Sequence, residues 1–163
     1  MVSLSVANKF GYGFAALRFT PPLTMVNSAW RLTMTRQNIS SGAQWEDIVG
    51  YSRAVRVGNV VEVAGTTAVS ADGSVFAPGD PYQQTLRILS IIEGALAEAG
   101  ASLSDVVRSR IFVTDISQWE AVGRAHGEYF RDIKPAATMV EVTGLIDPDM
   151  MVEIEVVARI SDS

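Results

Sequence analysis

The chain has 163 residues, of which 48% are apolar and 19% charged, and a formal net charge of −5. Its length fits one domain with a short appendage, and its composition suits a chain that buries a core. The acidic balance argues against a phosphate-backbone partner. The absence of cysteine excludes disulfides, thiolate nucleophiles and cysteine-based metal sites, and a single histidine, His126, weakens any other metal site.

No apolar run approaches the roughly 18–20 residues that span a bilayer, so no membrane association is expected. Neither a metal nor an organic cofactor is expected. A cysteine-free chain is compatible with a reducing cytoplasm, and a cytoplasmic location is the expectation.

Residues 1–44 contain no Asp or Glu, carry Lys9, Arg18, Arg31 and Arg36, and show no sustained periodicity. They read as an extension outside the domain, with a superficial likeness to a transit peptide. Met25 and Met34 are alternative starts, and the string from Met34 (MTRQNISSG) already reads as an N-terminus. Residues 1–33 are therefore expected to be translated upstream sequence, and the domain is expected over 45–163.

From Arg53 the pattern is RAVRV, then Gly58-Asn59, then VVEVAGTT, which predicts two strands joined by a two-residue turn. Ala71-Asp72-Gly73-Ser74 is a second turn signal, with Val75-Phe76 after it as a short third strand. Asp80-Pro81-Tyr82-Gln83 offers an N-cap acid and a proline at the first helical position. Leu86, Leu89, Ile92, Leu96 and Ala99 then recur at helical spacing until Gly100.

Asp105 to Thr114 predicts a strand. Ser117-x-x-Glu120 reads as a capping box opening a second helix through Arg131, with Trp119, Val122, His126 and Tyr129 on one face. After Pro135, TMVEV and MVEIEVVARI predict two final strands, giving the order β-β-β-α-β-α-β-β.

Two helices cover only one face of such a sheet, so the other meets solvent or another subunit. In the last strand Val152, Ile154, Val156, Ala158 and Ile160 are expected under the helices. Met151, Glu153, Glu155, Val157 and Arg159 are expected on the open face, joined there by Ala137, Met139 and Glu141 from the strand before. Large apolar groups mixed with carboxylates suit a subunit interface that contains a pocket.

Tyr51-Ser52-Arg53-Ala54-Val55, Gly58-Asn59, Val63-Ala64-Gly65, the Asp105 to Asp115 strand, and Lys134-Pro135-Ala136 through Val142 followed by Val152-Glu153-Ile154-Glu155 together resemble the RidA/YjgF (reactive intermediate deaminase) family. The resemblance covers about residues 46–160. It implies an α+β, chorismate-mutase-like mixed sheet with two helices packed on one face, assembled into a homotrimeric barrel with three clefts between subunits. It also implies hydrolysis of reactive enamines and imines, such as 2-aminoacrylate, 2-iminopropanoate and 2-iminobutanoate, to 2-keto acids and ammonia without a metal or cofactor.

An imino acid carries a carboxylate, which a guanidinium fork can hold, and a nearby carboxyl group can position and activate the attacking water. The family places that arginine directly after Pro-Ala in the penultimate strand, where this chain has Ala137. A polar Asn in the family's second helix falls on Gly123, a second departure. The family's acidic residue falls on Glu153, the expected catalytic group, and its aromatic and backbone elements fall on Tyr51 and Gly65.

Losing a bidentate ion pair in a desolvated cleft costs several kcal/mol, so standard imino-acid deamination needs a substitute anchor. Arg53 and Arg110 are the two candidates, each with an ordinary ion-pair role as the alternative. Gly65 and Thr66 end a strand where a ligand can approach the backbone. Met139 is expected as pocket wall. Glu141 and Glu155 read as interface salt-bridge partners and His126 as a packing residue.

The leading expectation is a RidA-like small-molecule hydrolase with Glu153 as its catalytic residue and Tyr51, Arg53, Gly65, Thr66, Arg110, Ala137 and Met139 around the ligand. The alternative is a non-catalytic trimer that binds a small metabolite in the same cleft. Ribonuclease activity is disfavoured by the acidic charge and the lack of a basic groove.

Overall fold

The computed structural model describes residues 35–161. Gly58 adopts a positive φ of 61°, which lets the chain reverse in two residues. Strands β2 (Ala54–Val57) and β3 (Val60–Thr67) therefore form the predicted hairpin, with Val57 opposite Val60 and Ala54 opposite Val63.

The sheet starts ahead of residue 45. Strand β1 (Arg36–Ile39) pairs antiparallel with β2, and the short helix α1 (Gln44–Val49) follows it. Residues 36–44 thus belong with the sheet, whereas composition had put them in the extension; residues 1–34 lie outside the described residues. Only Ile39 of β1 is buried, so the strand has no apolar alternation to read. Helix α1 buries Glu46 and exposes Trp45, Ile48 and Val49, the reverse of the usual pattern.

The expected strand at Val75-Phe76 reduces to one isolated bridge between Val69 and Val75. Its turn forms as predicted, with Asp72 Oδ1 accepting from the Ser74 N–H and hydroxyl at 3.0 and 2.7 Å and Gly73 at φ 86°. The pairing ends there because Phe76 turns inward onto the core and Pro78 follows.

Helix α2 (Pro81–Glu98) begins as predicted: Asp80 caps it by accepting from Gln83 N at 3.0 Å, and Pro81 stands where no amide hydrogen is needed. Its inner stripe of Ile88, Leu89, Ile92 and Leu96 is fully buried. Each such side chain contributes about 1.5–3 kcal/mol by leaving water.

Strand β4 (Val106–Val113) leads to helix α3 (Trp119–Phe130), whose start differs from the prediction. Asp115 captures both the amide and the hydroxyl of Ser117, at 2.9 and 2.7 Å, and so caps a 3₁₀ turn at Ile116–Gln118. With Ser117 taken, α3 opens at Trp119 with no side-chain cap. Trp119 is exposed, while Val122, Ala125 and Phe130 form the buried face.

Strands β5 (Ala136–Glu141) and β6 (Val152–Arg159) complete a six-stranded sheet of order β1-β2-β3-β6-β4-β5. Every neighbouring pair is antiparallel except β4 with β5. Helices α2 and α3 pack together on one face, over Val152, Ile154, Val156 and Ala158 as predicted.

The parallel pairing of β5 corrects one face assignment. Ala137, Met139 and Glu141 stand beside Ser109, Ile111 and Val113, which are buried on the helix side. They therefore share the helix face, and Thr138 and Val140 take the open one, because a one-residue difference in register exchanges the faces of a strand.

Gln84 ties the helix layer to the β5–β6 connection. Fully buried, it donates to Asp149 O at 2.8 Å and accepts from Met151 N at 2.8 Å. Among the described residues no helix is long and apolar enough to cross a membrane.

Candidate functional site

The chain leaves α1 through Gly50, whose φ of 81° redirects it toward β2. Ala54 points into the core, so Arg53 before it emerges on the open face. Its Nη1 donates to Gly65 O at 3.1 Å and to Thr66 Oγ1 at 2.9 Å. Buried Thr66 completes the contact by donating from the same hydroxyl to Ala64 O at 2.8 Å.

These partners sit at an irregularity of β3, where the pairing with β6 shifts register between Val63 and Thr66. Across the shift, Thr67 stands opposite Glu153. The Glu153 side chain then lies directly over Gly65. A Cβ added at Gly65 would collide with Glu153 Oε1 and would lie 3.0 Å from its Cδ. Gly65 is not in the left-handed region. Glycine here leaves room for the carboxyl in this position and is not required for backbone freedom.

Glu153 is half-buried, and burial raises its carboxyl above the ordinary value of 4.5; the charge of Glu155 adds to the rise and that of Arg53 opposes it. A carboxyl held up by desolvation beside a cation is the state expected of a proton-exchanging group. The Tyr51 ring flanks the same guanidinium, with Arg53 Cζ 5.9 Å from its centroid.

Arg110 stands opposite Glu155 in the β4–β6 ladder and pairs with it through Nε. Exposed on the open face, this pair is worth little in stability. Tyr51 and Glu155 also border an open groove of about 690 Å³, together with Asn38, Glu46, Val55 and Glu62.

Glu46 is a site neighbour that sequence reasoning missed. Burial opposes its charge, but hydrogen bonds from Ser40 and Ser41, with Arg53 nearby, more than offset this and hold the carboxyl below its usual value. The one signal was the Ser40-Ser41 pair upstream of an acid, in a stretch whose composition pointed elsewhere.

The structure thus brings together Tyr51, Arg53, Gly65, Thr66 and Glu153, with Arg110 two residues along the β4–β6 ladder, opposite Glu155. It does not bring in Ala137 and Met139. They lie on the helix face of edge strand β5, with Ala137 exposed and Met139 resting partly on the core. Gly123 is likewise exposed on α3. His126 is partly buried, 3.1 Å from Ser109 Oγ and against the Phe130 ring, and burial lowers its pKa. It packs between α3 and β4, away from Glu153.

A mixed sheet covered by helices on one face, with a carboxyl laid over a backbone glycine on the other, defines an α+β domain with a polar cleft on its open side. Residues 42–160 match the family model described as Endoribonuclease L-PSP. An uncharacterized protein of Streptomyces coelicolor is 39% identical over 122 residues, covering 75% of this chain and 90% of that one. The 3-aminoacrylate deaminase RutC of Acinetobacter baylyi is 36% identical over 110 residues, covering 68% and 86%.

Among solved structures, a member of the highly conserved YjgF/YER057c/UK114 family from Mycobacterium tuberculosis is 52% identical with a TM-score of 0.70. The match covers 77% of this chain and all of that one. This chain belongs to the RidA/YjgF family.

Proposed function

We propose that the protein is a RidA-like hydrolase that converts a small reactive imine or enamine to a carbonyl compound and ammonia in the cytoplasm. The observation that carries this reading is the Glu153 carboxyl, raised by burial and laid over Gly65 beside Arg53. Likeness to a 3-aminoacrylate deaminase supports the reaction class.

The chemistry needs one water. Its oxygen adds to the imine carbon while Glu153 accepts a proton that passes to the nitrogen. Glu153 then carries the hydroxyl proton of the resulting carbinolamine to its nitrogen as the C–N bond breaks, so that ammonia leaves and the carbonyl forms. A carboxyl with a raised pKa exchanges these protons closer to neutrality than an ordinary one.

The working unit is proposed to be a homotrimer. The open face carries Val55, Val57 and Phe112, all half-buried, and the exposed Val140, among its charges, which suits an interface better than a solvated surface. Ala137 and Met139 lie across the sheet from Glu153, so they can border its cleft only from a second copy.

The second reading, a trimer that binds a metabolite without turning it over, is favoured by one observation, the alanine at 137 in place of the family's arginine. Ammonia release from imino acids generated in situ by an amino-acid oxidase separates the two. The hydrolase reading expects release above the no-enzyme rate that disappears in Glu153→Gln. Ligand-dependent thermal stabilisation with no release would instead establish the binding protein.

A further inference from the structure

With alanine at 137, β5 offers no cation to hold a substrate's acid group, yet a cation with unused donors, Arg53, stands beside Tyr51 and Glu153 next to the open groove. A guanidinium carries five N–H groups in a rigid fork. Nη1 of Arg53 is committed to Gly65 O and Thr66 Oγ1, which fixes the plane of the group. Its Nε is buried and has no acceptor among the described residues. Nη2 likewise has none among them.

Nε and Nη2 form the side-on edge of the guanidinium, the geometry that accepts both oxygens of one carboxylate. A buried donor without an acceptor is costly, so a site that keeps one is suited to a ligand that supplies the missing oxygen.

We infer that the Nε–Nη2 edge of Arg53 is the carboxylate anchor of this cleft, taking the place of the arginine absent at position 137. Thr66 and Gly65 act as its positioning residues, since they hold the fork through Nη1 while no oxygen among the described residues claims the Nε–Nη2 edge. Tyr51 flanks the guanidinium. Arg110, the other candidate, already spends its Nε on Glu155, so its corresponding edge is occupied. Both the anchor and the Glu153 carboxyl touch Gly65, which suits a small acid whose reacting carbon lies next to its carboxylate.

The choice of an imino acid as substrate rests on the hydrolytic reading above, but binding of the carboxylate can be measured without turnover. The probes are 2-oxobutanoate and its neutral amide, titrated calorimetrically into wild type, Arg53→Gln, Arg53→Lys and Arg110→Gln. Wild type is expected to prefer the acid. Both Arg53 variants should weaken the acid about 10- to 100-fold, as for loss of a charge-assisted hydrogen bond, and leave the amide unchanged. Arg110→Gln should hold the acid within about threefold of wild type.

The lysine variant keeps the charge and a donor for Gly65 O but lacks the fork, so it decides the matter if the glutamine variant fails to fold. Equal binding of acid and amide by wild type would overturn the assignment. So would acid binding that survives in Arg53→Lys, or equal loss of acid and amide, which would mark a purely structural role. Acid-selective, Arg53-dependent binding without ammonia release would remove the hydrolytic reading and leave the anchor standing. Ammonia release untouched by Arg53→Lys would do the reverse.

Discussion

Replacing Gly65 with alanine should disturb the protein through one collision alone. The backbone at 65 is outside the left-handed region, so alanine carries no conformational penalty. The added Cβ would nevertheless collide with Glu153 Oε1 and lie 3.0 Å from Cδ and 3.4 Å from Cγ. The carboxyl, the far end of a flexible half-buried side chain, must swing away from β3, which costs about 0.5–1.5 kcal/mol, the scale of a side chain pushed off its preferred rotamer.

In a Glu153→Ala background the space is empty. There the same substitution should be neutral, or stabilising by about 0.4–1 kcal/mol because alanine restricts the unfolded chain. Urea unfolding of wild type, the two single variants and the double variant gives the coupling, expected at about 0.5–1.5 kcal/mol. An equal cost in both backgrounds would refute the placement of Glu153 over Gly65. In an active protein, Gly65→Ala should also lower turnover by about 100-fold or more, the usual contribution of a positioned acid–base group.

Three further outcomes follow from the same contacts. The folded-state carboxyl of Glu153 titrates above its ordinary 4.5, so its contribution to stability is full below that value and is lost as pH rises through the folded pKa. Glu153→Gln should therefore be at least as stable as wild type at pH 7, with its advantage shrinking toward pH 4 in thermal melts. Asp80→Ala removes the acceptor for Gln83 N at the start of α2 and should cost about 1 kcal/mol in urea unfolding. Gln84→Ala strips buried partners from Met151 N and Asp149 O and should cost about 2–4 kcal/mol, with faster amide exchange at Met151.

Legibility in the sequence followed the range of the interactions. The β2–β3 hairpin and the start of α2 were readable because Gly58-Asn59 and Asp80-Pro81 act within a few residues. The inner face of β6 was readable because alternation of Val152, Ile154, Val156 and Ala158 reports burial directly. Strand β1 was not, since three of its four residues are exposed and only the ladder to β2 defines it. The face of β5 failed for a related reason: its register is set by parallel pairing with β4, which no local pattern encodes.

The site divides in the same way. Glu153, Gly65, Tyr51 and Arg53 lie on or beside adjacent strands, and the family pattern marks the first three. The unsatisfied edge of Arg53 depends on how β3 folds back against it, and the clasp of Glu46 by Ser40 and Ser41 is local but lies in a stretch whose composition pointed away from the domain. Gln84 has no local sequence signal for its role, because its side chain closes the β5–β6 connection more than sixty residues away.

The role of Glu153 is tested most directly by following both products, ammonia and 2-keto acid, from an imino acid generated in situ, with wild type and Glu153→Gln at equal concentration. Equimolar formation of both above the uncatalysed rate by wild type, and a return to that rate in the folded variant, is the predicted result. Equal rates from the two proteins, or no rate above background from either, would contradict a hydrolase that works through Glu153.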